Sequence, residues 1–413
     1  MTAKQGSGLT GWATRRALVL SSLIACGGLA IAVGCSSSGH PADGAAGSVG
    51  TGGSAGVAGA ANNGGTGLGG STGLGGSLGG SAGTASVATN PLCPKSGPIV
   101  PGAEPLPDGV EIVAAATGVR DLIVADGYVY WTTKSTILRA PVGGGSATTL
   151  LDRSAQSNAT IGWLRVDGAT LYFTEVGPDQ VAKMPADGSA GPTTIATGNS
   201  PWQLVVADGV IYYYDAGLLE IDRVPVAGGT PTPLVLGVSP SAHMVVANGY
   251  LYFVNPASSS FDVHLLRAAI NGPAPTPVDG GTTPAGAEDV VTTDNYDTYG
   301  VVADATSLYW DEDNQVMKAP QAAGATAAAL DQLPDHSGDF GTTTKTYVGS
   351  VVVDSGSLYW NSDLQCGDLF KASSDGSGKS TLVHAIVFAS FLTVDATHVY
   401  FWAGNQQILR APR

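Results

Sequence analysis

From Ser36 to Leu92 the sequence contains no phenylalanine, tryptophan or tyrosine, and its one charged residue is Asp43. Glycine fills 19 of those 57 positions. A stretch this poor in apolar surface cannot offset the entropy of ordering its backbone, which excludes a packed domain there. It reads as a flexible tether with an r.m.s. reach of roughly 40 Å. Basic residues are scarce as well, 18 against 33 acidic ones. Lys4, Arg15 and Arg16 precede Gly34 and every acid follows it, so a chain beginning at Cys35 is more acidic than the whole, at −15. That balance excludes nucleic acid as a partner, because such binding needs clustered Lys and Arg. It also excludes docking of the protein surface on anionic lipid.

Cysteine is nearly absent, with four residues in the chain, and none has metal-ligand spacing. Cys93 and Cys366 fall in the part able to fold, and an even pair in an exported chain suggests a disulfide, with two unrelated thiols as the alternative. Histidine is also sparse, leaving His243, His264, His336, His384 and His398 after the tether. No recognisable acid–base pair flanks His243, and no Ser–His–Asp set stands in a strand–turn–helix context. No cofactor motif is present. Gly376-Ser377-Gly378-Lys379-Ser380-Thr381 has the look of a phosphate loop, but position 373 is Ser and a strand pattern follows, so it reads as a hairpin turn.

What the N-terminus does have is Arg15-Arg16 followed by an apolar run, Ala17 to Gly34. A positive region before an apolar one is an export signal. Ala32-Val33-Gly34-Cys35 and Leu23-Ile24-Ala25-Cys26 both resemble the lipobox of bacterial lipoproteins. The resemblance implies lipidation at Cys35, where the apolar run ends, with Cys26 as the alternative. The expected organisation is therefore a signal peptide over 1–34, a tether over 35–92 and a folded domain over 93–413. The expected location is the cell envelope, anchored by lipid in the outer membrane or at the cell surface.

The folded part repeats itself. Val-Ala-Asp-Gly-Tyr-Val-Tyr-Trp at 124–131 returns near 166, 206 and 246, and looser copies end at Tyr309, Tyr359 and Tyr400. The tyrosines Tyr130, Tyr172, Tyr212, Tyr252, Tyr309, Tyr359 and Tyr400 are separated by 42, 40, 40, 57, 50 and 41 residues. Each copy reads as four strands. Leu122-Ile123-Val124 is followed by an Asp126-Gly127 turn, an aromatic returning strand, Ile137-Leu138-Arg139 and Thr148-Thr149-Leu150-Leu151. Units of this kind must stack to bury their faces, and four antiparallel strands at this length are propeller blades. The last copy stops after its third strand at Ile408-Leu409-Arg410, and Val110-Glu111-Ile112-Val113 is an unpaired strand before the first. Pairing the two closes an all-β ring of seven blades.

Tyr130-Trp131-Thr132 and Tyr309-Trp310-Asp311 resemble the YWTD repeat of receptor propellers, although the final Asp is absent from most copies. The chain is also similar to propeller lipoproteins of large-genome bacteria such as myxobacteria. These resemblances imply an envelope propeller and carry no catalytic residue.

Ligand-facing positions are expected where first strands begin, at Arg120, Asp121, Trp163, Trp202, Gln203, His243, Tyr299 and Ser350. Two Trp with His, Arg and Tyr suit a protein, peptide or glycan ligand. Third-strand cations from Arg139 to Arg410 read as outward residues whose stems cover the neighbouring blade. Two acidic clusters, Glu288-Asp289 with Asp294 and Asp297, and Asp311-Glu312-Asp313, lack the spacing of a Ca²⁺ loop and read as exposed turns. No metal is assigned to Asp294, Asp297, Asp311 or Asp313. The chain reads as a binding module. A lyase- or lactonase-type propeller enzyme and an envelope scaffold without a small ligand are the alternatives.

Overall fold

The computed structural model describes residues 106–413, apart from 239–243, 257–262, 277–282, 294–297, 299, 335–345, 363–366, 387–388 and 405. The export signal, the tether, Cys26, Cys35, Cys93 and Cys366 lie outside the described residues. So do His243, Tyr299, Asp294 and Asp297. No helix among the described residues is long and apolar enough to cross a membrane.

The tyrosine period becomes seven four-stranded antiparallel sheets, and the chain is all-β. In the first blade the strands are Asp121–Ala125, Tyr128–Thr132, Thr136–Pro141 and Thr148–Asp152, paired in chain order. Asp126 and Gly127 both have positive φ, 49° and 78°, the geometry of the tight turn that matches strand twist. The first strand of every blade touches the first strand of the next, and that of the seventh touches that of the first, so these seven strands form the inner wall of a closed ring.

The seventh blade is completed by the N-terminal strand. Glu111–Ala115 pairs antiparallel with Gln407–Pro412, Glu111 standing opposite Arg410. In the other six blades the outer strand carries an extra residue as it passes the third strand, between Ile137 and Leu138 in the first, and the sixth blade has a second such shift between Gly367 and Leu369. The N-terminal strand has the same bulge, between Ile112 and Ala114. It is thus a true fourth strand, and the bulge supplies the same local twist in all blades.

Seven apolar clusters fill the spaces between blades, and each rests on the same aromatic pairing. The repeat tyrosine of one blade packs with the aromatic that follows the repeat tyrosine of the next: Tyr130 with Phe173, Tyr172 with Tyr213, Tyr212 with Phe253 and Tyr252 with Trp310. Tyr309 packs with Trp360 and Tyr359 with Phe401. Tyr400 packs with Trp131, which makes the closing interface equivalent to the others. Alternation along a strand aims neighbouring residues at opposite faces, so a Tyr–aromatic dipeptide serves two interfaces at once.

The third-strand cations do more than cover a neighbour. Arg139 donates to the carbonyls of Ala186 and Asp187, and Lys183 to that of Val226. Arg223 reaches Ile270 and Gly272, Arg267 reaches Gln321, and Lys318 reaches Ser374. Arg410 closes the series on Val142. Each clasps the turn after the third strand of the next blade. Lys371 instead lies over the Tyr359 ring, 5.8 Å from its centre. At that interface Arg413 takes over, donating to the Tyr359 hydroxyl and pairing with Asp354.

Candidate functional site at the starts of the inner strands

All inner strands run the same way, so their first residues gather at one end of the ring. Counting back nine residues from each repeat tyrosine reaches Asp121, Trp163, Gln203, His243, Gly300, Ser350 and Phe391. Arg120 and Trp202 stand one position earlier in their blades. Arg120, Asp121, Trp163, Trp202 and Gln203 therefore come from three consecutive blades, and Ser350 from the sixth. Trp163, Trp202 and Ser350 are partly exposed, whereas Gln203 is buried.

Much of the polar chemistry here serves the ring itself. Asp121 is 2% exposed. Its carboxylate accepts from the backbone N–H of Leu122 at 3.0 Å and of Leu164 at 2.9 Å, and pairs with Arg165 at 3.1 Å. Thr132 Oγ1 donates to the Gly162 carbonyl, and Thr174 Oγ1 to the Trp202 carbonyl at 2.5 Å. Asn361 Nδ2 donates to Ala389 of the seventh blade. Buried polar groups demand such partners, and tying each blade to the next satisfies them.

Apolar surface remains at this end. Gly162 makes room for the Thr174 hydroxyl, which a Cβ there would meet at 2.3 Å, and the Trp202 ring lies in ordinary contact at 3.5 Å from the same point. On the other side of the first blade, Phe391 and Trp402 pack together with their rings 6.4 Å apart, and Trp402 Nε1 donates to the Ala116 carbonyl. Both are partly exposed. Phe391 has φ 57°, a strained backbone for a bulky residue. Sequence reasoning missed Phe391, although the nine-residue count from Tyr400 reaches it. Beyond the mouth the inner strands carry the partly exposed valines Val124, Val166, Val206, Val246, Val353 and Val394.

Arg120 is half-buried in this setting, and burial pulls its pKa below the usual guanidinium value. Its backbone N–H bonds to the Thr132 carbonyl. Every other arginine among the described residues has a polar partner for its side chain: Arg139, Arg153, Arg165, Arg223, Arg267, Arg410 and Arg413. The Arg120 guanidinium has none among the described residues.

The remaining chemistry-bearing groups lie elsewhere. His264 and Asp289 approach to 2.7 Å, and His384 and Asp368 to 3.4 Å, on third and outer strands away from the inner wall. Glu288 and Asp289 are not in an exposed turn, as the sequence suggested. They open the outer strand Glu288–Thr293, where Glu288 pairs with Arg267. Asp311 is buried at 2% exposure on the strand Ser307–Glu312, and Asp313 follows that strand. No group of three His, Cys, Asp or Glu among the described residues could hold a metal ion. Residues 374–379 are the turn read from sequence, between the strands Gly367–Ser373 and Ser380–Ile386, and Lys379 in it pairs with Asp331 at 2.6 Å.

No family model matches the chain, and no curated protein matches it in sequence. Solved structures do match its fold. A virginiamycin B lyase from Staphylococcus aureus, solved with quinupristin, is 12% identical, with a TM-score of 0.52 over 74% of this chain and 99% of that one. YCF48 bound to D1 peptide is 11% identical, with a TM-score of 0.51 over 79% of this chain and 100% of that one. The extracellular domain of a putative one component system from B. thetaiotaomicron is 9% identical, with a TM-score of 0.50 over 74% of this chain and 40% of that one. At these identities the likeness is one of fold: the chain is a seven-bladed β-propeller.

Proposed function

We propose that this chain is an exported, lipid-anchored propeller of the cell envelope that acts as a binding module, its ligand seated where the inner strands begin. The observation that carries the reading is the set of partly exposed aromatics there, Trp163, Trp202, Phe391 and Trp402, at the same end of the ring as Arg120, an arginine with no side-chain partner among the described residues. Aromatic surface kept open beside a polar group is what a recognition site needs. A protein or peptide partner suits it, and one propeller of similar fold was solved with a peptide. The lipid anchor rests on the cysteine context at Cys35, with Cys26 second, and the YWTD-like phrasing remains a kinship of repeat grammar. On this reading the tether over 35–92 lets a domain spanning 93–413, stapled by Cys93 and Cys366, sample space near the membrane.

The test is a peptide and glycan array probed with the purified protein, with and without Ca²⁺. Hits are expected that vanish in a Trp163→Ala/Trp202→Ala variant melting at the wild-type temperature. Hits unchanged in that variant would move the site off this end of the ring. Labelling of cells with a palmitate analogue is expected to be lost in Cys35→Ala, and retention there would transfer the anchor to Cys26.

A further inference from the structure

Arg120 is not part of the architecture. The clasping cations occur once in nearly every blade, at the same third-strand position, and six of them bond the next blade. Ten residues before the repeat tyrosines stand Arg120, Gly162, Trp202, Ala242, Tyr299, Gly349 and Ser390. The other blades thus close without a cation at this position.

Nor does any acid among the described residues pair with it. Acids outnumber bases 33 to 18, so a counter-ion was readily available to this chain. The adjacent Asp121 spends its carboxylate on Leu122, Leu164 and Arg165. A guanidinium stays charged in a protein, and holding one half-desolvated without a partner is unfavourable. An anion delivered from outside would offset that cost.

The neighbourhood says what accompanies the anion. Val119 and Leu122, which bracket Arg120, belong to the cluster on which Phe391 and Trp402 pack. Across Asp121 the second blade presents Trp163, and the third presents Trp202 over Gly162. Thr132, Thr174 and Asn361 are committed between blades, leaving few groups to read the many hydroxyls of a sugar.

We infer that the site takes a ligand with an apolar or aromatic body and a single carboxylate, and that Arg120 reads the carboxylate. This rests on the reading of this end of the ring as the binding site. Arg suits the task because its planar fork matches a carboxylate in two parallel hydrogen bonds. Two sources share that chemistry, a small aromatic acid and the C-terminus of a peptide ending in an apolar residue.

The experiment is calorimetric titration of the full chain with four probes: N-acetylphenylalanine, its amide, and a hexapeptide ending in phenylalanine as free acid and as amide. Each acid is expected to bind at least about tenfold more tightly than its amide. Arg120→Gln should erase that difference, weakening the acids at least about tenfold more than the amides. Arg120→Lys should keep part of it, and Lys134→Gln all of it, with melting temperatures equal throughout. A tighter peptide acid identifies a peptide terminus as the source, and a tighter small acid identifies a free metabolite. Equal binding of acid and amide, or a preference surviving in Arg120→Gln, would overturn the role of Arg120 and leave the binding site standing. Failure of every probe to bind would overturn both.

Discussion

Two aspartates, Asp222 buried and Asp395 partly exposed, show how one residue type is pushed in opposite directions by its surroundings. Asp222 lies on the third strand of the third blade, 4% exposed, where other blades carry Leu138, Ala182 or Leu266. Burial and the nearby Glu220 and Asp215 raise its pKa to about 6. Its cross-strand partner is Tyr213, whose hydroxyl is buried with no aligned partner. For Asp395, burial pulls upward, but the Tyr400 hydroxyl and the N–H groups of Thr397 and His398 pull down further, to about 2. The signs follow. A raised folded pKa means the folded state holds the proton more firmly, so the Asp222 contribution is favourable below about pH 4 and is lost as pH rises through 6. The Asp395 contribution is present above about pH 4 and lost as pH falls through 2. Asp222→Asn should therefore stabilise the protein at pH 7.5 by about 1–3 kcal/mol and change little at pH 4. Urea unfolding at the two pH values reads this directly. An equal gain at both would mean that the carboxylate charge is not the cause.

At the scale of the strand, the propeller was legible because its aromatic dipeptide is written seven times, one copy per interface. The clasps were only half legible. Their cations stand out at regular spacing, but their acceptors are backbone carbonyls, which leave no mark in the sequence. The same reason hid the state of Arg120, which is distinctive only once every other described arginine is seen to be engaged. Asp121 looked like a ligand group because its role, capping the Leu164 N–H of the next blade, depends on a contact 43 residues away. The clasps make a graded prediction. Arg223→Met removes two charged hydrogen bonds, at 2.6 and 2.9 Å, and should cost about 1–3 kcal/mol. Lys371→Met loses a ring contact at 5.8 Å and should cost under about 1 kcal/mol. Thermal melts of the two variants side by side check the order. A reversal would mean that the stems, rather than the charged heads, hold the blades.

For the whole molecule the question is what keeps the ring shut. The seventh blade draws its outer strand from the opposite end of the chain, through backbone pairing from Glu111 to Ala115 and the Glu111–Arg410 ion pair. The exposed ion pair adds little. The larger part comes from Val113, Ala114 and Ala116, which are buried in the cluster that also contains Trp131 and Tyr400. Without this strand, Gln407–Pro412 would present an unpaired edge, and the closing interface would lose part of its core. A variant lacking residues 1–116 should melt about 10 °C or more lower and form oligomers through that edge, visible by light scattering after size exclusion. A synthetic peptide covering 106–119 should restore the monomer, because it supplies both the ladder and the buried side chains. The same peptide with Val113→Asp should fail, since the charge would enter a dry interface while the backbone ladder stayed intact. If the truncated protein remains a monomer with unchanged melting, the ring is held by the six other interfaces alone and the terminal strand is ornament to its stability.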